Sequence, residues 1–512
     1  MTRAVDPVVL VMCPTWGINM PPLGIGYLTA YLRSQGWKVE ALDLNVEVYH
    51  RAPQEIKQYW REEYIDLWMQ ENFMELIGES LLPLIDWSVE RILSKRPRVV
   101  GFSVNQANLF FSFQVAERLR LRLPELLIVF GGPGVYWVDR NRNLPIGVMN
   151  WKGEPALPLD TIDVFVHGDG EEALAGVLRA LASGEELGSI SAITYRADGC
   201  FKTTGPHRPN RDFDQYPFPD FDWVDFDSYR EIELGLETPA RIAPIILSRG
   251  CINNCKFCND FVMQGKFRTR SPERTVQEMR YRVEDQGLQR FFFCDLLVNG
   301  DMEQLLAMAQ GVIRERLPER YPEMSWTGQA LAHRNMTRHY LETIYRSGCR
   351  ALSYGVESLS DQVLTAMRKN ITVAEIIEVL KASKAAGIYN QVNLIVGYPG
   401  EGEREFQETI DNLRRLRKYI DRVSALSMLT MTYGSPLFVT YQRAGGFRGI
   451  SDWHRRWVDT QDSANTFAVR SERFERLHRV LEELGLMTLM PQHYEKAREG
   501  ARVELSQSIR PC

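Results

Sequence analysis

Residues 241–258 read RIAPIILSRGCINNCKFC: an apolar run, the break Ser248-Arg249-Gly250, then cysteines at 251, 255 and 258. The isoleucine-rich run from 241 to 248 predicts a short buried strand, and Gly250 ends it. The chain then enters a loop at the strand's carboxyl end with three thiols in eight residues. Three thiolates so spaced can surround one small metal centre. A structural zinc ion closes with four ligands, usually as two CxxC-type pairs. No fourth cysteine lies nearby, since Cys294 falls on the next strand-like run and Cys200 and Cys349 are distant. A four-iron cluster on three thiolates leaves one iron open to a small molecule. At this point both readings stand.

Outward from the loop, strand and helix signals alternate. Strand-like runs lie at 290–296, 324–331, 351–358, 391–398 and 424–432. Helices are predicted over 272–286, 302–316, 338–347, 360–384 with a break near Asn370, and 403–419. Ser271-Pro272 supplies an N-cap and a first-turn proline, and Thr372 with Glu375 fits a capping box. Six β/α repeats predict a partial parallel (βα)6 barrel, with functional residues at the carboxyl ends of its strands.

The first two hundred residues alternate in the same way. Strands are predicted at 8–13, 38–44, 98–104, 126–131 and 162–167, and helices include 23–35 and 171–183. That pattern predicts an α/β, doubly wound Rossmann-like sheet. An aromatic-rich helical insertion covers 51–97, and its Trp60, Tyr64 and Trp68 stripe is expected to pack against a neighbouring domain. Prolines and lost periodicity make 206–240 a linker. The expected division is 1–205, linker 206–240, barrel 241–440 and a C-terminal helical region 441–512, in which Trp453, His454, Arg455, Arg456 and Trp457 either line the barrel mouth or pack as an amphipathic helix.

Composition sets outer limits. Sixty-one Lys and Arg against sixty-six Asp and Glu give a net charge of −5, which is no footprint for nucleic acid. No apolar stretch reaches the ~20 residues of a membrane span. Eight cysteines in 512 residues are no disulfide framework, and the short apolar run Val8–Met12 is no signal peptide, so a cytoplasmic protein is expected.

The CxxxCxxC spacing, with Phe257 before the last cysteine and on the loop after the first of six strands, resembles the radical S-adenosylmethionine (SAM) superfamily. Asp295, Tyr354-Gly355-Val356-Glu357-Ser358 and Gly397-Tyr398-Pro399-Gly400-Glu401, at successive strand ends, agree with it. The resemblance implies a 4Fe-4S cluster on Cys251, Cys255 and Cys258, with SAM on its open iron. It also implies SAM contacts at Asp295, Glu357, Ser358, Gly397 and Pro399. Gln329 and Tyr433, then His333 and Arg334, are candidate substrate contacts.

Pro21-Pro22-Leu23-Gly24-Ile25-Gly26-Tyr27-Leu28, Asp43-Leu44-Asn45, Gly101-Phe102-Ser103, Gly131-Gly132-Pro133 and Gly168-Asp169-Gly170-Glu171-Glu172 resemble the cobalamin-binding domain fused ahead of many radical SAM barrels. The Asp-x-His-x-x-Gly element that supplies a histidine to cobalt is absent; Pro14 to Met20 stand in its place. The resemblance implies Trp16, Asn19 and Met20 near the lower face of cobalamin, and Ser103, Asn105, Gly131, Gly132, Gly168 and Glu172 along its tail.

Together the two resemblances imply reductive cleavage of SAM to a 5′-deoxyadenosyl radical and, with cobalamin, methylation of an unactivated carbon. The substrate would be a small molecule, natural product, lipid or peptide, and the electron donor external, such as flavodoxin or ferredoxin. Cyclisation, ring contraction or carbon–carbon coupling is the alternative outcome, since the anaerobic porphyrin cyclase branch is also similar. Methylthiolation would need a second three-cysteine cluster in the first domain, where only Cys13 and Cys200 stand. A non-catalytic iron–sulfur or zinc protein would need a fourth thiolate.

Overall fold

The computed structural model describes residues 6–61, 64–68, 78–135, 138–139, 144–145, 159–233, 236–446, 457–460 and 462–487. They divide into two compact units, mainly Met1–Asn210 with Gln215–Arg241, and Arg211–Asp214 with Ile242–Met490. No helix among the described residues is long and apolar enough to cross a membrane.

The first unit is built on a seven-stranded sheet: β1 Val8–Met12, β2 Val39–Asp43, β3 Val99–Ser103, β4 Leu127–Gly131, β5 Val164–Val166, β6 Ile193–Ala197 and β7 Cys200–Thr203, in the order β2-β1-β3-β4-β5-β6-β7. The first five are parallel, and most are short buried apolar runs. Val8 and Leu10 pack with Ile25 and Leu32 of α1 (Leu23–Ser34) and with Leu174 and Leu178 of α5 (Gly170–Ser183). Between α1 and α5 lie α2 Leu44–Arg51, α3 Gly78–Leu93 and α4 Leu109–Arg122.

Three features differ from the sequence expectation. β6 and β7 are antiparallel, joined at Asp198-Gly199, where both residues take positive φ as a tight hairpin requires. The 206–240 segment carries a hairpin, Arg230–Glu233 with Leu236–Pro239. The aromatic stripe makes contacts inside its own unit: Trp60 meets Trp68 and Tyr49 edge-on, and its indole N–H donates to Asn45 Oδ1 at 2.7 Å.

The second unit is a six-stranded parallel sheet whose strands lie in chain order: β8 Ile242–Ile245, β9 Arg290–Phe293, β10 Ser325–Ala330, β11 Cys349–Glu357, β12 Tyr389–Val396 and β13 Arg422–Met428. Between them run α6 Pro272–Gln286, α7 Met302–Arg314, α8 Arg338–Arg346, α9 Asp361–Met367, α10 Val373–Ala385 and α11 Glu403–Leu416. After β13 come α12 Pro436–Arg443 and α13 Phe467–Glu483. Local chemistry sets the helix starts. Ser271 accepts from Arg274 N–H, Asp301 accepts from Glu303 and Gln304 N–H, and Thr372 with Glu375 closes a capping box. The strands alternate buried and half-exposed residues, so one face of the sheet carries the helices and the other is more open.

Candidate active site

The cysteine loop leaves β8 through Ser248–Arg249, which pairs with Arg268–Thr269, and turns at Gly250. Cys255 is buried, and Cys251 and Cys258 are half-buried. Backbone N–H groups of Asn253 and Asp260 lie 3.4 Å from Cys251 Sγ and Cys258 Sγ. Lys256 anchors the loop through both of its backbone polar groups: its N–H donates to Met367 O at 3.0 Å, and its carbonyl accepts from Leu437 N–H at 2.8 Å. Asn259 Nδ2 donates to Tyr433 O, and Phe257 stands edge-on to Tyr398. Burial raises all three thiols above their ordinary range, and Asp260 adds to the rise at Cys258. A bound cation is what would make them thiolates. Among the described residues no three His, Cys, Asp or Glu side chains are grouped to hold a single metal ion. Three thiols with N–H groups aimed at two of the sulfurs fit a polynuclear cluster.

The predicted SAM residues come to the carboxyl edge of this sheet, each in a different state. Asp295, two residues past β9, is buried and accepts from Leu247 N–H at 3.0 Å, and from Ser248 N–H and Ser248 Oγ at 2.5 Å. Burial lifts its pKa to about 7 against those donors. Its carboxylate thus clamps the approach to the cysteine loop. Glu357 ends β11 at a register shift, with φ +66 and its carboxylate 3.4 Å from Lys369 Nζ. Strain of this kind persists only where the surroundings fix it. Ser358 is buried and turned to Thr409 Oγ1 of α11 at 3.3 Å, a packing contact. After β12, Gly397 has φ +83 and donates its N–H to Glu401 Oε2 at 2.6 Å, closing the Gly397–Glu401 turn that includes Pro399. Gln329 is exposed, Tyr433 and His333 are half-buried, and Arg334 is exposed. Trp453, His454, Arg455 and Arg456 lie outside the described residues. Trp457 is core: its indole N–H donates to Leu429 O at 3.1 Å.

At the carboxyl edge of the first sheet, Trp16 is 44% exposed. Asn45 fixes its backbone, accepting from Trp16 N–H at 3.1 Å and donating to the Trp16 and Gly17 carbonyls at 3.1 and 3.2 Å. The Asp43-Leu44-Asn45 motif is visible in the sequence, but nothing in it assigns Asn45 this role. Asn19 and Met20, on the same loop, and Ser103, at the end of β3, are half-buried. Asn105 Oδ1 accepts from Ala107 and Asn108 N–H, which turns its side chain back onto the start of α4. Gly131 ends β4, and Gly132 takes φ +96 so close to Val104 that a Cβ would stand 2.7 Å from its carbonyl oxygen. Those strand ends present backbone where a side chain would otherwise project, as a bound macrocycle or tail requires. Gly168 and Glu172 are set apart. The His207 ring covers Gly168, and Glu172 accepts from Asn210 Nδ2 at 2.9 Å and Tyr216 OH at 3.1 Å.

Comparison with known proteins agrees with both halves. The Radical SAM superfamily profile matches residues 245–413, and the B12 binding domain profile matches residues 10–157. An uncharacterized methyltransferase of Pyrococcus horikoshii is 24% identical over 351 residues, 68% of this chain and 71% of that protein. The anaerobic magnesium-protoporphyrin IX monomethyl ester cyclase of Cereibacter sphaeroides is 24% identical over 252 residues, 48% of this chain and 40% of the cyclase. The fold is similar to that of the radical SAM methyltransferase TsrM from Kitasatospora setae, solved with cobalamin and a 4Fe-4S cluster. The TM-score is 0.62 at 17% identity, covering 88% of this chain and 79% of TsrM.

Proposed function

From its place in the radical SAM superfamily, with a B12 binding domain in the same chain, we propose that this protein transfers a methyl group to an unactivated carbon of a small-molecule, natural-product, lipid or peptide substrate. When bound, the cluster and SAM supply a 5′-deoxyadenosyl radical that removes a substrate hydrogen, and cobalamin supplies the methyl group. The observation that carries this reading is the 251–258 loop, three thiols with backbone donors on two sulfurs at the carboxyl edge of a parallel sheet. Cys251, Cys255 and Cys258 hold the cluster. Asp295 keeps the loop's approach in place, Glu357 with Lys369 offers a fixed carboxylate to SAM, and the turn through Gly397 and Pro399 borders it. Ser358, just past β11, supports the same corner through Thr409 of α11.

Trp16, Asn19 and Met20 would face cobalamin from below, and Ser103, Asn105, Gly131 and Gly132 would meet its tail; Gly168 and Glu172 are engaged instead by His207, Asn210 and Tyr216. The working domains are 1–205 and 241–440, with 206–240 between them and 441–512 following the barrel. Electrons come from an external donor such as flavodoxin or ferredoxin, in the cytoplasm.

Anaerobically reconstituted protein given SAM with a deuterated methyl group, a reductant, hydroxocobalamin and an extract of its own host should yield a product carrying the label. A product of changed mass without the label sinks methylation. The similarity to the magnesium-protoporphyrin cyclase then favours the second reading, cyclisation or carbon–carbon coupling.

A further inference from the structure

We propose that Arg470, on α13, is a positioning residue for the Gly397–Glu401 turn and, through that turn, for SAM; this rests on the function proposed above. Arg470 lies well outside the residues matched by the superfamily profile. The contact is steric first. A Cβ at position 397 would stand 2.4 Å from Arg470 Cδ and 2.5 Å from Cγ, so the stem of Arg470 occupies the space the glycine leaves. The guanidinium beyond it is buried, and it is fixed from several sides. Nη1 donates to Asn465 O at 2.6 Å, Nη2 donates to Trp457 O at 2.9 Å, and the group lies 3.9 Å over the Trp457 ring.

The same frame holds the turn's backbone. Asn465 Nδ2 donates to Gly397 O at 3.4 Å and to Asp459 Oδ2 at 3.0 Å, while Tyr441 OH donates to Asp459 Oδ1 at 2.7 Å. Three residues on from Arg470, Arg473 Nη1 donates to Glu401 O at 2.6 Å. Both ends of the turn are therefore tied to the C-terminal segment. On its other side Tyr398 donates its hydroxyl to Ala366 O and meets Phe257 of the cysteine loop. A buried arginine is costly where an apolar side chain would fill the same volume, and its geometric demands fix the groups around it. Here those demands fall on the turn.

The test is SAM affinity, measured by equilibrium dialysis of labelled SAM against reconstituted holoprotein. Arg470→Met keeps an unbranched stem under Gly397 and removes the donors. The expected result is a dissociation constant raised about tenfold, the size of one lost charge-assisted contact. Iron content should stay that of the wild type, and kcat for 5′-deoxyadenosine should change less than about twofold at saturating SAM. Arg470→Lys, which retains the charge but not the fork, goes through the same measurement if the methionine variant does not fold, with the same expectation. An unchanged affinity in the folded variant overturns the positioning role. Iron and kcat lost together at unchanged affinity also overturn it, as a merely structural effect. Wild-type holoprotein that binds no SAM overturns the underlying reading as well.

Discussion

Each unit fastens the loop after its first strand by a polar side chain two residues past the end of the neighbouring strand, but the two fastenings are chemically opposite. Asn45, beyond β2, meets one N–H and two carbonyls of the Trp16 loop. Asp295, beyond β9, meets two N–H groups and a hydroxyl ahead of the cysteine loop. An amide both donates and accepts, whereas a carboxylate only accepts. Asparagine therefore suits the first loop and aspartate the second, and exchanging either sets a side-chain group against a partner of the wrong kind. The charge goes where only donors point.

The comparison breaks most severely if the loop that Asp295 serves does not hold a cluster. Alanine at Cys251, Cys255 or Cys258 should remove the iron and the broad visible absorbance of reconstituted protein, and abolish 5′-deoxyadenosine formation; iron analysis and product chromatography decide it. Asp295→Ala strands three buried donors and should cost about 3 kcal/mol of stability, read as a lower denaturant midpoint. Asn45→Asp places a carboxylate against two carbonyl oxygens and should cost about 2 kcal/mol and weaken hydroxocobalamin binding, followed by its absorbance, while Asn45→Ala weakens it less. The smallest effect is on pH. Burial raises Asp295 and Glu401 to about 7, so the folded protein binds protons there that the unfolded chain has released above its ordinary carboxyl range. Stability should then fall as pH rises from about 4 to about 7, and Asp295→Asn should flatten that slope in urea melts taken across the window.

Legibility in the chain depended on how far apart the interacting residues lie. The three cysteines, the Ser271-Pro272 start and the Thr372–Glu375 box are local, and their spacing carries their meaning. The β/α order was legible too, because buried parallel strands are continuous apolar runs. The antiparallel β6–β7 edge escaped because its strands are mixed and partly exposed, although Asp198-Gly199 carries a hairpin signal. Asp295 was placed at the correct strand end, but its partners, 47 and 48 residues earlier, leave no periodic trace. The tie between Glu401 and Arg473 spans 72 residues and leaves none either. Strand-end position marked the turn; only the folded packing identifies what holds it.

Because β8 to β13 lie in chain order, each strand can join its predecessor as the ribosome delivers it, and the sheet grows from one side. Arg470 and Arg473 emerge only after all six. A nascent chain thus presents its cysteine loop long before the Gly397–Glu401 turn is braced by Asn465 and Arg473.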